Sequence, residues 1–272
     1  MIISNKIKLF SFLLIIVSFY NCASGPDIKY ESNNKSLNKE FQTTSSSLLL
    51  PAKNLNQVIH HRYYSLSYSE KDEQAQWVAY KLTVDNSNKN IKRKPHFRKD
   101  TKVQTGSSEL KDYYKSGYHR GHLAPAGSMR INEVSMDESF YMSNISPQKK
   151  KFNQGIWKKL ENKVRIWSSM YDSLYVVTGP VLSRPIGVIG INNVTIPRGF
   201  YKTLVGFKKN KIKSIAFIIP NDESDESVYS FSVSIDEVEE ITGLDFYFNF
   251  TDSIENRIEA NNNINAWLKM EN

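Results

Sequence analysis

The sequence is poor in cysteine, with Cys22 as the single one among 272 residues. A lone cysteine excludes an internal disulfide framework and leaves no thiolate for a zinc site in the rest of the chain. Long apolar runs are also scarce, because Leu9–Tyr20 has about 12 residues against the roughly 20 that a membrane-spanning helix needs. The chain also lacks an internal repeat. These absences argue against a disulfide-stapled scaffold and against an integral membrane protein.

Residues 1–21 are predicted to be an export signal. Lys6 and Lys8 precede the apolar run, which has the length of the apolar part of a signal peptide. Cys22 follows directly and resembles the lipidated cysteine of bacterial lipoproteins, although the preceding Ser-Phe-Tyr-Asn departs from the small residues usual there. Two outcomes stay open. One is a cell-envelope lipoprotein, in the periplasm or on the outer membrane surface, anchored in the membrane through Cys22; the other is a secreted protein.

The remainder of the chain is predicted to contain a tether and one globular domain. Residues 22–55 are rich in Ser, Asn, Lys and Thr without an apolar pattern, which predicts a flexible tether with a reach of roughly 30 Å. Residues 56–272 are predicted to form the domain. Its core can be sizeable, because hydrophobic residues make up 40% of the chain and aromatic residues 12%.

The domain is predicted to mix strands and helices without regular alternation, which favours the α+β class. β-Branched and aromatic residues predict strands at 58–68, 76–84, 118–123, 139–145, 174–181, 188–196, 200–207 and 212–219. The last four are expected to share one sheet. Apolar spacings predict helices at 153–171, at 235–242 closed by Gly243, and at 252–270 with Asp252 as the N-cap.

The basic residues of the chain are concentrated in one part of it. The net charge is +8, and between Lys89 and Trp167 there are 18 lysines and arginines against 7 acidic residues. An excess of this size attracts a polyanion such as nucleic acid. The alternative is a solvated basic face that binds nothing.

The segment His119-Arg120-Gly121-His122 lies inside this basic part. Its residue types suggest a site that binds a phosphate and accepts a proton. The guanidinium of Arg120 suits a phosphate, and the imidazole of His122 can accept a proton near neutral pH. Gly121 lets the backbone turn or lie close to another chain. His119 and His122 also form a His-x-x-His pair, which is a second, zinc-binding interpretation.

Two further segments follow in order, Ser143–Gln148 with the sequence Ser-Asn-Ile-Ser-Pro-Gln and Asn153–Glu161 with the sequence Asn-Gln-Gly-Ile-Trp-Lys-Lys-Leu-Glu. With these three segments the chain resembles the endonuclease G-like family of DNA/RNA non-specific endonucleases, in the ββα-metal (His-Me finger) superfamily. The family pattern is Asp-Arg-Gly-His, then Ser-Asn-x-x-Pro-Gln, then Asn-Gln-x-x-Trp-x-x-Leu-Glu. The resemblance extends over roughly residues 57–269, and His119 departs from the family Asp.

The resemblance implies a central, mostly antiparallel sheet flanked by helices, and it implies catalytic roles for matching residues. His122 matches the general base, Arg120 matches a phosphate contact and Arg165 a second one, and Asn144 matches a residue that supports the site geometry. Without the resemblance, His122 reads as a structural histidine and Asn144 as a turn residue. The family also has an upstream arginine, for which Arg93 and Arg98 are both candidates.

The third segment matches the family's metal site. Asn153 matches the single protein ligand of a Mg²⁺ ion, for which Mn²⁺ is a substitute, and Glu161 matches a residue that holds metal-bound water. In one continuous helix these residues would lie about 80° apart around the axis. Read alone, Asn153 is an N-cap, Glu161 is a surface residue, and Glu161 with Arg165 is an ordinary helical ion pair. Trp157 is expected in the core.

We therefore expect an exported, Mg²⁺-dependent endonuclease that binds DNA and RNA through the phosphate backbone and leaves 5′-phosphates. The resemblance implies little sequence preference, and Lys149, Lys150 and Lys151 are expected to attract the phosphate backbone without reading bases. The alternative is a surface lipoprotein that binds nucleic acid but has lost catalysis through the His119 change. If charged, His119 would repel Arg120.

Overall fold

A computed structural model describes residues 50–52, 56–84, 91–209 and 211–268 of the chain. The predicted export signal at residues 1–21, the predicted lipidation site Cys22 and most of the predicted tether lie outside the described residues. Among the described helices, none combines the length and the apolar character that a membrane-spanning segment needs.

The described part of the chain mixes short and long strands with helices. The strands are Gln57–His60 (β1), Tyr64–Ser69 (β2), Gln74–Leu82 (β3), His119–His122 (β4), Ile145–Gln148 (β5), Ser173–Val181 (β6), Gly187–Ile189 (β7), Val194–Ile196 (β8), Gly199–Lys208 (β9), Lys211–Pro220 (β10) and Ser232–Val233 (β11). The α-helices are Leu110–Tyr113 (α1), Glu133–Glu138 (α2), Lys150–Gln154 (α3), Ile156–Ser168 (α4), Ile235–Thr242 (α5), Asp252–Glu259 (α6) and Ile264–Leu268 (α7).

One seven-stranded antiparallel sheet organises the molecule, with the strand order β1-β2-β3-β6-β9-β10-β11. Both of its faces are covered. Along β9, Phe200 and Leu204 enter one core while Tyr201 and Val205 enter the other, as the two-residue repeat of a strand requires. Burial on both faces explains why the strands read as continuous apolar runs.

Helices cover the two faces. Helix α4 packs on the first face with the residues Ile156, Trp157, Leu160, Val164 and Trp167. Helices α5 and α6 contribute to the core on the second face through Ile235, Val238 and Ile258. The predicted α+β class, with a mostly antiparallel sheet flanked by helices, is confirmed, and so is the burial of Trp157.

Several predicted strands are confirmed and others are divided. Strands β4, β6, β9 and β10 match their predictions closely, and α5 ends at Gly243 in the left-handed conformation, with φ 70°. The predicted strand 58–68 is divided by a turn into β1 and β2. The predicted strand 188–196 is also divided, because Gly190 and Asn193 adopt positive φ and form the turn of a separate β7–β8 hairpin. This hairpin does not join the large sheet.

Three predicted elements were wrong in detail. The helix 153–171 is broken at Gly155 (φ −99°, ψ −112°), where a Cβ would lie 2.3 Å from the Lys151 carbonyl oxygen. The segment 139–145 contains a 3-10 turn at Met142–Asn144 rather than a strand. The C-terminal helix is divided at 260–263, where Asn side chains hydrogen-bond nearby backbone N–H groups, and its N-cap position is Thr251 rather than Asp252.

The β4–β5 pair is fastened to the sheet by side chains from distant parts of the chain. The Ser146 hydroxyl on β5 donates to Gln74 Oε1 on β3, over 2.6 Å. Asn221, directly after β10, donates from Nδ2 to the carbonyls of Pro147 and Pro197, both over 3.1 Å, and accepts from the Lys149 N–H over 2.9 Å. These buried amide contacts hold β5 and the start of α3 in place beside the sheet.

Candidate active site

A cleft of about 860 Å³ opens where β4, α3 and α4 meet. The residues that line it are Arg93, Phe97, Leu110, Tyr113, Tyr114, Lys115, Tyr118, His119, Arg120, His122, Pro125, Ala126, Gly127, Arg130, Asn153, Gln154, Lys158, Glu161 and Arg165. Within this lining six side chains are lysine or arginine, and Glu161 supplies the single carboxylate. The cleft therefore carries a strong positive potential, which suits a polyanionic ligand.

The β4–β5 pair presents the first sequence segment to the cleft. His119 pairs with Gln148 and His122 with Ile145 in an antiparallel register. Gly121 is the buried member of the segment, and the Gln148 side chain lies against it so closely that a Cβ on Gly121 would be 2.0 Å from Gln148 Cδ. Glycine at this position thus allows the two strands to pack with His119, Arg120 and His122 all at the cleft.

His122 is half-buried beside two phenylalanine rings. Its ring centroid lies 5.6 Å from that of Phe97 and 5.0 Å from that of Phe140, which meets it edge-on. Its Nε2 atom is buried without a hydrogen-bond partner among the described residues, so no hydrogen bond of that region occupies this nitrogen. Burial lowers the pKa of His122 to about 3, with further lowering by Arg93 and Arg120. The imidazole is therefore neutral at physiological pH, the form that can accept a proton.

The structure separates the two candidate upstream arginines. Arg93 lines the cleft, with its guanidinium 5.6 Å from the Phe140 ring centroid. Arg98 is absent from the lining; it forms an ion pair of 2.5 Å with Asp137 and lies 4.0 Å from the Tyr141 ring centroid. Arg93 is therefore the upstream arginine at the cleft, whereas Arg98 links the segment between β3 and α1 to helix α2.

Arg120 and Arg165 both reach the cleft. The Arg120 guanidinium lies 4.5 Å from the Phe97 ring centroid in an exposed position. Arg165 donates to Asn162 Oδ1 and packs beside Gly127, and the described ion pairs do not include one between Arg165 and Glu161. The ordinary helical ion pair considered for these two residues is thus not formed, and the guanidinium of Arg165 stays available at the cleft.

Asn153 and Glu161 line the same cleft from the two sides of the helix break. Asn153 lies in the last turn of α3 and Glu161 in the second turn of α4, so the continuous-helix geometry predicted for them was wrong. Both nevertheless line the cleft and are partly exposed. In the described part of the chain neither side chain has a hydrogen-bond partner, which leaves an amide oxygen and a carboxylate facing the same space.

Lys202 is a charged residue that sequence reasoning missed. It lies on β9, fully buried, with Nζ 4.7 Å from the Trp157 ring centroid and without a hydrogen-bond partner in the described region. Burial raises the pKa of Glu161 and lowers the pKa of Lys202, and each charge opposes that effect on the other. The sequence feature that could have indicated a buried charge at this position is a lysine inside the largely apolar run 200–207.

Asn144 and Gln148 lie beneath the cleft, and neither lines it. Asn144 is fully buried: its Oδ1 accepts from the Ala124 N–H over 2.8 Å, and its Nδ2 donates to the carbonyls of Ala124 and Ser139. This amide fixes the backbone two residues after His122. Asn144 thus holds the backbone beneath the cleft. The lining also includes Arg130 and Lys158, for which the sequence offered no signal beyond basic charge.

The donor set of the cleft fits a hard divalent cation. Asn153 and Glu161 offer two oxygen ligands with free lone pairs, as suits Mg²⁺ or Mn²⁺, which keep most of their waters when bound. Zinc sites need three or four closely spaced His, Cys or carboxylate ligands. Among the described residues, the cluster of three such ligands consists of Asp236, Glu239 and Glu259, which do not line the cleft. It includes neither His119 nor His122.

Comparisons with known proteins agree with this geometry. The profile of the DNA/RNA non-specific endonucleases matches residues 42–253. Nuclease C1 of Cunninghamella echinulata var. echinulata is 35% identical over 68% of this chain and 80% of its own. Human mitochondrial endonuclease G is 33% identical over 71% of this chain and 70% of its own. A crystal structure of the EndoG/EndoGI complex contains a chain that is 35% identical, with a TM-score of 0.69, covering 72% of this chain and 88% of that one. The present chain therefore belongs to the family of DNA/RNA non-specific endonucleases.

Proposed function

We propose that this endonuclease hydrolyses DNA and RNA with His122 as the general base and with one divalent cation held at Asn153. The observation that carries the proposal is that His122, Arg120, Asn153 and Glu161 line a single cleft whose remaining charged side chains are cationic. A neutral imidazole, an exposed guanidinium and two free oxygen ligands are the groups that hydrolysis of a phosphodiester needs.

Substrate binding relies on the phosphate backbone. The lysines and arginines of the cleft attract and neutralise phosphates, and such contacts position nucleic acid without reading its sequence. Arg93 lies over the Phe140 ring and Arg120 over the Phe97 ring, and both rings contact His122, so a phosphate bound by these arginines would lie near the imidazole. The negative phosphate would also offset the two arginine charges that lower the pKa of His122.

The chemical step is an attack of water on phosphorus. His122 accepts a proton from the attacking water as the water oxygen bonds to phosphorus. The bond between phosphorus and the 3′ oxygen breaks, the 3′ oxygen takes a proton from solvent water, and the products are a 5′-phosphate and a 3′-hydroxyl. Arg120 stabilises the charge that develops on the phosphoryl oxygens. A Mg²⁺ or Mn²⁺ ion, held by Asn153 and through water by Glu161, would neutralise charge on the phosphoryl and leaving oxygens.

The test is plasmid nicking by the purified protein with Mg²⁺, with Mn²⁺ and with EDTA. We expect cutting with either metal and none in EDTA. His122→Ala should lower the rate by about 10²- to 10⁴-fold while DNA binding is retained. His60→Ala, which removes an exposed histidine outside the cleft lining, is the matched control and should cut normally. Near-normal cutting by His122→Ala would mean that the base is another group.

We also propose that the enzyme is exported and either anchored through a lipidated Cys22 or released. The support is in the sequence alone: Lys6 and Lys8, the apolar run after them, and Cys22 directly behind it. Mass spectrometry of the mature N-terminus distinguishes the outcomes. A diacylated peptide beginning at Cys22 supports the anchor, an unmodified N-terminus near residue 22 supports release, and an intact Met1 contradicts export.

A further inference from the structure

Three carboxylates converge on the second face of the sheet, away from the residues that line the cleft. Asp236 and Glu239 lie one turn apart on α5, and Glu259 is the last residue of α6. One carboxylate oxygen from each lies within 4.8 Å of the others. Asp236 is exposed, Glu239 is half-buried and Glu259 is buried, so the cluster runs from solvent into the protein.

Glu259 is the unusual member of this cluster. It is only 6% exposed, and its Oε1 atom is buried without a hydrogen-bond partner among the described residues. Leaving a buried carboxylate oxygen unpaired is costly unless a cation or a proton compensates it. The ion pairs seen in the described part of the chain involve none of the three carboxylates, so no side-chain cation of this kind compensates it.

The surroundings make the shortage of positive charge more severe. Asp245 and Glu255 add two further acids to the same region, in a chain whose net charge is +8. Burial and then the neighbouring carboxylates raise the pKa of Glu259 to about 8, and burial with the same acids raises the pKa of Glu239 to about 7. Glu239 is held in position, since its Oε1 accepts from the Phe246 N–H over 2.6 Å.

We propose that Asp236, Glu239 and Glu259 bind one Ca²⁺ ion. Calcium takes six to eight oxygen ligands in flexible geometry, at about 2.3–2.6 Å. Three carboxylate oxygens that all lie within 4.8 Å of one another are close enough to share one such ion. Magnesium requires near-ideal octahedral geometry and is usually held through one or two carboxylates, so a set of three carboxylates favours calcium.

The ion would tie α6 to α5 and, through them, to the sheet. The Ser214 hydroxyl on β10 donates to the carbonyl of Ile258, directly before Glu259, over 2.6 Å. An ion at Glu259 therefore reinforces a junction of three elements. Because none of its ligands lines the cleft, this calcium site is expected to act on stability and not on the chemical step.

The experiment is thermal unfolding of the purified protein in EDTA and in 1–10 mM CaCl₂. The wild type should melt several degrees higher with calcium, as saturation of one site at about 100 times its Kd predicts. Glu259→Gln should lose this shift while melting in EDTA near the wild-type temperature, because glutamine keeps the shape of the side chain and removes only its capacity to bind the ion as a carboxylate. Glu240→Gln, the loss of an exposed neighbour on the same helix, should keep the shift.

Two further variants keep the test decisive. Asn153→Ala should keep the calcium shift, because the proposed site is independent of the active-site cation. If Glu259→Gln does not fold, Asp236→Asn, a change at an exposed position, should weaken the shift in its place. A shift that Asn153→Ala removes and Glu259→Gln or Asp236→Asn retains would overturn the proposal, as would the absence of any shift in the wild type.

Discussion

Gln148 occupies the space in which any β-carbon at position 121 would stand, because that atom would lie 2.0 Å from Gln148 Cδ and 2.1 Å from Oε1. Gly121→Ala must therefore displace the buried Gln148 side chain or separate β4 from β5. We expect a loss of about 1–3 kcal/mol of stability, as overpacking typically costs, and a fall in activity of about a hundredfold, as displacement of catalytic groups by about 1 Å costs.

Urea unfolding and plasmid nicking check this expectation. Gly187→Ala is the control, because a Cβ there meets only Ile196 Cδ1 at 3.6 Å and the position lies in the separate β7–β8 hairpin. A Gly121→Ala protein with normal activity would show that Gln148 can move without consequence for the cleft.

His119→Asp restores the family residue at the one position where the motif departs. The His119 side chain lines the cleft and has no hydrogen-bond partner in the described region, so its replacement removes no interaction that holds the site. We expect nicking rates within about threefold of wild type for His119→Asp and His119→Ala, far less than general-base loss causes. A gain of tenfold or more in His119→Asp would mean that His119 impairs the enzyme.

The two upstream arginines should separate in a salt titration of DNA binding. Arg93→Ala removes a cleft cation, so it should weaken binding and reduce the salt slope by about one. Arg98→Ala should leave the slope unchanged, because that guanidinium is engaged by Asp137 and Tyr141. Equal slopes for both variants would exclude Arg93 as a phosphate contact.

Glu161 and Lys202 should prove energetically coupled. Lys202 is fully buried and Glu161 is partly exposed, and each charge favours the ionised form of the other. Lys202→Met should therefore cost less stability in a Glu161→Gln background than in the wild type. A double-mutant cycle by urea unfolding should give a coupling free energy of at least about 1 kcal/mol. Additive effects of the two substitutions would show that Lys202 and Glu161 do not interact energetically.

His122 should make the protein sensitive to acid. Its pKa is about 3 in the folded protein and near 6.5 in an unfolded chain. The unfolded state therefore binds the additional proton as pH falls from 6.5 towards 3, and stability falls with it. His122→Phe should flatten the dependence of the unfolding free energy on pH between 6.5 and 4, compared with wild type and with His60→Phe. An unchanged slope would contradict the low pKa of the folded state.

Much of the fold could be predicted because buried strands and helices produce recognisable patterns of apolar residues in the local sequence. Strands β6, β9 and β10 are covered on both faces, so they appear as apolar runs bounded by Gly, Pro and Asn. The three catalytic segments could be recognised because their residue types and spacing occur together. The order of the strands depends on long-range pairing, which no local pattern records.

The details of the site could not be predicted because they depend on tertiary contacts. A glycine inside a helical pattern costs only about 1 kcal/mol, so the break at Gly155 carried no strong signal. Lysine is rarely buried, and the position of Lys202 under Trp157 follows from the sheet and α4 together. Arg93 and Arg98 lie in the same polar segment, and only the contact of Arg98 with Asp137 on α2 separates them.

The bridge made by Asn221 has a consequence for when the enzyme becomes active. All three motif segments are complete by Glu161, yet β5 and the start of α3 are held by an amide that lies after β10. A chain still emerging from the ribosome has the full set of catalytic residues some sixty residues before it has this bridge. Contacts between segments so far apart in sequence require a long loop to close before they can form, which makes them slow to form. We therefore expect chains that end before Asn221 to lack an ordered β5 and α3, and with them nuclease activity.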